Sequence, residues 1–214
     1  MTRILVFGAS VVAGFWDTEG GWVRRLKTDL RKLSKENGGN IQVYNLGVSG
    51  HTTADLLSRI ENEIQARRDE ENHEIVVFIS IGENDALYDS IKEHRRVPKK
   101  RFLSNFREIT DIAQKHAIKV YFMGNQPVDE SKIDEETMLD RHEPDVEARD
   151  EYFGAAKNIC EEKGIETLDI SEKVDEESFK SELFDGLHPD NEGHKRIYEL
   201  VKKYLDENSR IKVK

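Results

Sequence analysis

The sequence predicts an α/β fold in which an open parallel β-sheet carries helices on both faces. Two observations carry that prediction. Short β-rich apolar runs recur at Arg3–Phe7, Ile41–Leu46, Ile75–Ile81, Lys119–Met123 and, more weakly, Ile165–Leu168. Each is separated from the next by enough chain for a crossover helix, and strands that alternate with helices imply a parallel sheet covered on both sides.

Taken in order, each element has its own justification. Met1-Thr2-Arg3-Ile4-Leu5-Val6-Phe7-Gly8 is too short and too soon interrupted for a secretory leader, and reads as the first strand. Trp22, Leu26, Leu30 and Leu33 then share one helical face. The second strand is followed by a stripe of Leu56, Ile60 and Ile64, and the third by Phe102, Phe106, Ile109 and Ala113. Tyr152, Ala156 and Ile159 form the stripe between the last two strands, and Ile197, Val201 and Tyr204 predict a terminal helix. All of these are core stripes at helical spacing.

The 214 residues fit one domain, 1–214, with no repeat, low-complexity tract or linker to mark a second. Two long connections, 86–100 and 125–145, are solvated loops or else lids or pocket walls. The first, with the residue that follows it, carries the basic group Lys92, His94, Arg95, Arg96, Lys99, Lys100 and Arg101, which reads as a solvated face or as an anion-recognition patch. With 43 acidic against 33 basic residues the formal charge is −10, which disfavours nucleic acid as a partner. Hydrophobic residues make up 36%, and no apolar run approaches the roughly 18 residues of a membrane span, so a soluble protein with no membrane insertion is expected. Cys160 is the single cysteine, which excludes an intrachain disulfide and fits a cytoplasmic location.

In an open parallel sheet, ligands gather beyond the carboxyl ends of the strands. Four segments fall there: Gly8-Ala9-Ser10, Asn45-Leu46-Gly47, Gly82-Glu83-Asn84-Asp85 and, before the last helix, Asp185-Gly186-Leu187-His188-Pro189. Each alone reads as a cap or a turn. Together they supply the parts of acyl transfer, which needs a nucleophile, a base, a group that orients the base, and donors aimed at an oxyanion. Ser10 supplies the hydroxyl. His188 is the natural base, because an unperturbed imidazole titrates near 6.5, close to operating pH. Asp185, three residues earlier, can fold back to hold the other ring N–H, and Pro189 should stiffen the segment. The Ser10 backbone N–H, the Gly47 backbone N–H and the Asn84 side-chain amide are the candidate oxyanion donors. Gly47 lacks a Cβ and so permits close main-chain approach, and Gly82 allows the turn that aims Asn84 inward.

These residues resemble the SGNH hydrolases, also called GDSL-type esterases and lipases, over nearly the whole chain. Phe7-Gly8-Ala9-Ser10 resembles the block with the nucleophilic serine, and Asn45-Leu46-Gly47 the block with the oxyanion glycine. Gly82-Glu83-Asn84-Asp85 matches Gly-x-Asn-Asp, and Asp185 to Pro189 matches Asp-x-x-His-Pro. The resemblance implies a flavodoxin-like three-layer α/β/α sandwich with five parallel strands in the order 2-1-3-4-5. It also implies a catalytic set of Ser10, Asp185 and His188, with Ser10, Gly47 and Asn84 as the oxyanion hole. One departure is Ala9, where the family usually has Asp. The carboxylate that would brace the loop is missing, and Asp85 is the neighbour placed to replace it.

Other readings lose on the residues. Ser49 has no Gly-x-Ser-x-Gly elbow, the neutral first block lacks a receiver's acidic cluster, and neither a phosphate-binding loop nor a Gly-x-Gly-x-x-Gly is present. His188 and His194 fit no metal motif, so neither a metal nor a cofactor is expected. The expected function is hydrolysis of small carboxylic esters, with short-chain acyl, aryl or acetylated-sugar groups, through an acyl-enzyme on Ser10. Acyl transfer by the same residues and non-catalytic acyl or glycan binding are the alternatives. Trp16, His51, Leu87 and Tyr88 follow the four blocks and are candidate pocket walls. Oligomeric state is not legible in the sequence.

Overall fold

The computed structural model describes residues 1–68, 74–133 and 142–208. In chain order the elements are β1 (Thr2–Gly8), α1 (Ser10–Ala13), α2 (Gly21–Asn37), β2 (Ile41–Gly47), α3 (Thr53–Gln65) and β3 (Glu74–Ser80). There follow α4 (Glu83–Ala86), β4 (Tyr88–Asp89), β5 (His94–Arg95), α5 (Lys99–His116) and β6 (Lys119–Met123). The chain continues through β7 (His142–Glu143), α6 (Val146–Glu162), β8 (Glu166–Leu168), α7 (Glu176–Ser181) and α8 (Asn191–Asn208).

Five parallel strands form the main sheet in the order β2-β1-β3-β6-β8, which is 2-1-3-4-5 when its own strands are counted. Successive residues of β1 point to opposite faces, as pleating requires. Leu5 and Phe7 join the cluster beneath α3, α5 and α6, while Ile4 and Val6 join the one beneath α2 and α8. Both faces are therefore covered, and the strands read as continuous apolar runs for that reason. The terminal stripe differs by one residue from the sequence expectation. Leu205 is the fully buried third member, and Tyr204 stays partly buried, with its hydroxyl donating to Glu166 at 3.1 Å.

Register places the site. β1 pairs with β2 and β3 so that Gly8 lies opposite both Gly47 and Ser80. The three strands end level with one another, so the residues that follow them emerge at one edge, on either side of the point where the connections reverse direction.

The two long connections hold a second, smaller sheet that sequence periodicity did not reveal. β4 pairs antiparallel with β5 and also with β7, so the 86–100 connection is joined to the 125–145 connection. Of the latter, 134–141 lies outside the described residues; its near part contains a 3₁₀ turn at Glu130–Lys132. The Arg95 guanidinium contacts the Asp145 carboxylate across the junction and donates to the Ala86 carbonyl at 3.3 Å. Among the described residues, no helix is long and apolar enough to cross a membrane.

Candidate active site

Ser10 is the first residue of α1, directly after β1, and is 8% exposed. Its Oγ lies 2.9 Å from His188 Nε2, and His188 Nδ1 lies 2.8 Å from Asp185 Oδ2. The segment that delivers the last two is a tight loop. Leu183 and Pro189 form a β-bridge, the Phe184 N–H donates to the His188 carbonyl at 2.9 Å, and the Asp190 N–H to the Glu182 carbonyl at 2.8 Å. Inside it Asp185 Oδ1 accepts from the backbone N–H groups of Leu187 (3.0 Å) and His188 (2.8 Å), which is how three residues bring acid and base together. Burial alone would push the Asp185 carboxyl up. The bond and charge of the His188 ring, followed by those backbone donors, outweigh it and hold the group well below the usual carboxylate range.

Asn84 sits in the short α4, whose cap Gly82 has φ 135°, a backbone region that favours glycine. The Asn84 amide donates to the His51 carbonyl at 2.9 Å, which orients the side chain and leaves its second N–H for another acceptor. Gly47 is placed differently from the sequence expectation. Its N–H donates to Asn45 Oδ1 at 3.0 Å, and it is not among the residues lining the cavity described below. The close approach that demands glycine there is made by α1, because a Cβ on Gly47 would lie 2.3 Å from the Ala13 nitrogen and 2.7 Å from the Val12 carbonyl carbon.

Asp85 does not brace the Ser10 loop. It is fully buried, and its carboxylate accepts from the Thr53 N–H at 2.9 and 3.1 Å and from the Thr53 hydroxyl, which in turn accepts from Asn105 at 3.1 Å. Its task is to clamp the start of α3. Ala9 is 6% exposed and belongs to the apolar cluster with Leu5 and Phe7.

A cavity of about 620 Å³ opens over the serine. Ser10, Asn84, Asp185 and His188 line it, as do Trp16 and Leu87 of the four candidate walls. His51 and Tyr88 are not among its lining residues: His51 contributes its carbonyl to Asn84, and the Tyr88 ring lies beneath the Arg95 guanidinium at 5.6 Å. Three aromatic rings form the wall beside the base. Phe15 meets the His188 ring edge-on at 5.0 Å and Trp16 at 4.8 Å, and Trp16 stacks on Phe184 at 4.4 Å. Phe15 and Phe184 were missed because an isolated aromatic in a loop has no periodicity to mark it, although Phe184 directly precedes Asp185.

The far wall contains Arg149, buried and neutralised. Its guanidinium donates to Glu83 at 3.1 Å and to the Gln126 carbonyl at 2.6 Å, and Gln126 donates to the Leu187 carbonyl at 2.8 Å, which ties this wall to the histidine loop. None of the seven basic residues from Lys92 to Arg101 lines the cavity. Lys92 faces Asp89, Arg95 faces Asp145 and Lys99 faces Glu151, so the anion-recognition reading of that group gives way to a structural one.

Ser10 Oγ, the His188 imidazole and the Asp185 carboxylate form a chain of contacts at the carboxyl edge of the five-stranded parallel sheet, the contact pattern of a serine–histidine–acid triad on a three-layer sandwich. The model of the GDSL-like lipase/acylhydrolase family matches residues 6–196, and the chain belongs to that family of carboxylic ester hydrolases. A GDSL esterase/lipase of Arabidopsis thaliana is 26% identical over 96% of this chain and 86% of its own. An uncharacterized lipoprotein of Bacillus subtilis is 31% identical over 58% of this chain, a match that spans about half (49%) of the lipoprotein. Among solved structures, a lipase/acylhydrolase from Enterococcus faecalis superposes with a TM-score of 0.69 at 22% identity, covering 99% of each chain. The acetylxylan esterase Axe2 from Geobacillus stearothermophilus gives 0.68 at 21% identity over 98% of this chain and 95% of its own.

Proposed function

We propose that the protein is a serine esterase that hydrolyses small, uncharged carboxylic esters through an acyl-enzyme on Ser10. The observation that carries this reading is the unbroken chain of contacts from Ser10 Oγ to His188 Nε2 (2.9 Å) and from His188 Nδ1 to Asp185 Oδ2 (2.8 Å). In the first half-reaction Ser10 Oγ attacks the ester carbonyl carbon while His188 Nε2 takes its proton. The tetrahedral intermediate collapses, the bond to the alcohol oxygen breaks, and His188 returns the proton to that oxygen. Water then repeats the sequence on the acyl-enzyme, releasing the acid and restoring Ser10. Asp185 holds the ring with Nδ1 protonated, so that Nε2 is the basic nitrogen when the ring is neutral.

The oxyanion is assigned to the free N–H of the Asn84 amide and to the backbone N–H of Ser10, which precedes the hydrogen-bond ladder of α1. The Gly47 N–H can join them only by sharing or leaving Asn45 Oδ1. A cavity walled by Phe15, Trp16 and Phe184 on one side and by Leu87 and Val128 elsewhere favours short acyl or aryl groups, and its cations are already engaged, Arg149 with Glu83 and Lys132 with Asp129 and the Lys180 and Leu183 carbonyls.

The test is hydrolysis of p-nitrophenyl acetate and butyrate by wild type and Ser10→Ala. We expect Ser10→Ala to retain less than about a thousandth of wild-type turnover. We also expect wild-type kcat/KM to fall in acid as the imidazole takes a proton and ceases to be a base. Wild-type activity that survives the substitution undiminished removes the reading.

A further inference from the structure

Trp16 combines three features that a simple pocket wall does not need. Its indole Nε1 donates to Asp185 Oδ2 at 2.8 Å, the same oxygen that accepts from His188 Nδ1. Its backbone lies at φ 63°, in the left-handed region that a bulky residue avoids at a cost of about 1–2 kcal/mol. And it is held there from both sides. His194 of α8, fully buried, places Nε2 3.0 Å from the carbonyl of Phe15, the Asp17 side chain is buried against Arg25, and Phe184 stacks on the indole. A half-exposed tryptophan serving only as a wall could keep its ring in place from a relaxed backbone and leave its N–H in water.

We propose that Trp16 is a positioning residue for the proton relay, its indole N–H fixing the Asp185 carboxylate and sharing the charge of the oxygen that faces His188. The proposal rests on the serine-esterase reading of the same site. With Trp16 in place Asp185 has four N–H donors, two on each oxygen: Leu187 and His188 backbone on Oδ1, and the Trp16 and His188 rings on Oδ2. Removing the indole donor leaves Oδ2 to the imidazole alone. The full charge of that oxygen then stabilises the imidazolium, so the base gives up its proton less readily, and the carboxylate loses one of the contacts that hold the ring toward Ser10.

The other charged or titratable groups around His188 are few. His194 and the Asp17–Arg25 pair lie behind the Phe15–Trp16 turn, and Glu83 with Arg149, Asp145, His142 and Lys132 line the remainder of the cavity. None of them has a hydrogen bond to Asp185 or His188 among the described contacts, so a change in the histidine on altering Trp16 reports the indole contact.

Two replacements separate donor from wall. Trp16→Phe removes the N–H and shrinks the ring, whereas 3-benzothienylalanine at position 16 keeps the bicyclic shape and removes only the N–H. With p-nitrophenyl acetate, both variants are expected to lose about tenfold in kcat with KM held within about twofold. The acid limb of kcat/KM moves to higher pH by about half a unit in both. A second readout needs no turnover. The His188 ring signals, followed by NMR in a Ser10→Ala background, titrate at higher pH when the indole donor is absent. The proposal is overturned if the benzothienyl variant matches wild type in kcat and titration while Trp16→Phe changes KM alone, for Trp16 is then a wall. Should wild-type hydrolysis prove independent of Ser10, the esterase reading falls on its own, and the NMR titration still decides whether Trp16 acts on the Asp185–His188 pair.

Discussion

Asp85 stands beside Asn84 in the chain yet has a different task, and its burial makes the protein's stability depend on pH. Removal from water pushes its carboxyl up from 3.8 to about 7, against the opposing bonds from Thr53 and the more distant charge of Arg96. The unfolded chain releases this proton near 4, while the folded protein keeps it until about 7. Between those values the native state binds more protons, so this group's contribution to stability falls as pH rises through that window and its cost is complete above it. Asp85→Asn should therefore resemble wild type in Tm near pH 4 and exceed it at pH 8, by the equivalent of roughly 2–4 kcal/mol. Thermal melts across pH 4–8 check this, and parallel slopes for the two proteins would refute it. Residue chemistry was the most legible level of the sequence. Ser10 opens α1 after β1, Asn84 lies in α4 after β3, and the loop between α7 and α8 delivers Asp185 and His188 to the same cavity; their residue types and order along the chain made them candidates. The environment of Asp85 was not legible, because its partners Thr53 and Asn105 come from other elements.

At the scale of elements, the four-residue α1 matters more than its length suggests. It places Ser10, and its backbone lies directly against Gly47 at the end of β2. Gly47→Ala drives a methyl into main-chain atoms that no rotamer change can move, so we expect a loss of about 1–3 kcal/mol in stability, read as a lower urea midpoint. Displacement of α1 should lower kcat in the same variant. A fully stable, fully active Gly47→Ala would show that α1 tolerates the shift. Periodicity located the long helices and all five strands of the main sheet. It missed α1 and α4, since four residues make barely one turn and show no stripe, and it placed Tyr204 where Leu205 completes the buried face.

Over the whole molecule, the sheet edge that carries Ser10 is roofed by two connections that fasten to each other. Strand β4 pairs with β5 and β7, and Arg95 joins Ala86 to Asp145, the residue that caps α6 by accepting from Ala148 at 2.8 Å. Arg95→Ala unfastens this junction while leaving Ser10, Asp185 and His188 untouched. We expect KM for p-nitrophenyl butyrate to rise roughly fivefold with kcat changed less than about twofold; steady-state kinetics of the variant decide it. The surplus of acidic residues, for its part, bears little on the site, because among the described residues Asp185 is the one carboxylate in contact with the His188 ring.

What local order could specify was readable from the chain alone: strand and helix alternation and the residue types required for acyl transfer, whereas the sheet order came with the resemblance to a known family. These depend on spacing and on side-chain chemistry, both of which are written in one dimension. What emerged only in three dimensions was who touches whom across long separations. The indole of Trp16 on Asp185, the Arg95 and Lys99 ion pairs with Asp145 and Glu151 and the junction of the two long connections each depend on segments the fold brings side by side. The physical reason is that a hydrogen bond or close packing contact is set by distances of a few ångströms, and residues far apart in sequence acquire such distances only when the sheet and its covering helices are in place.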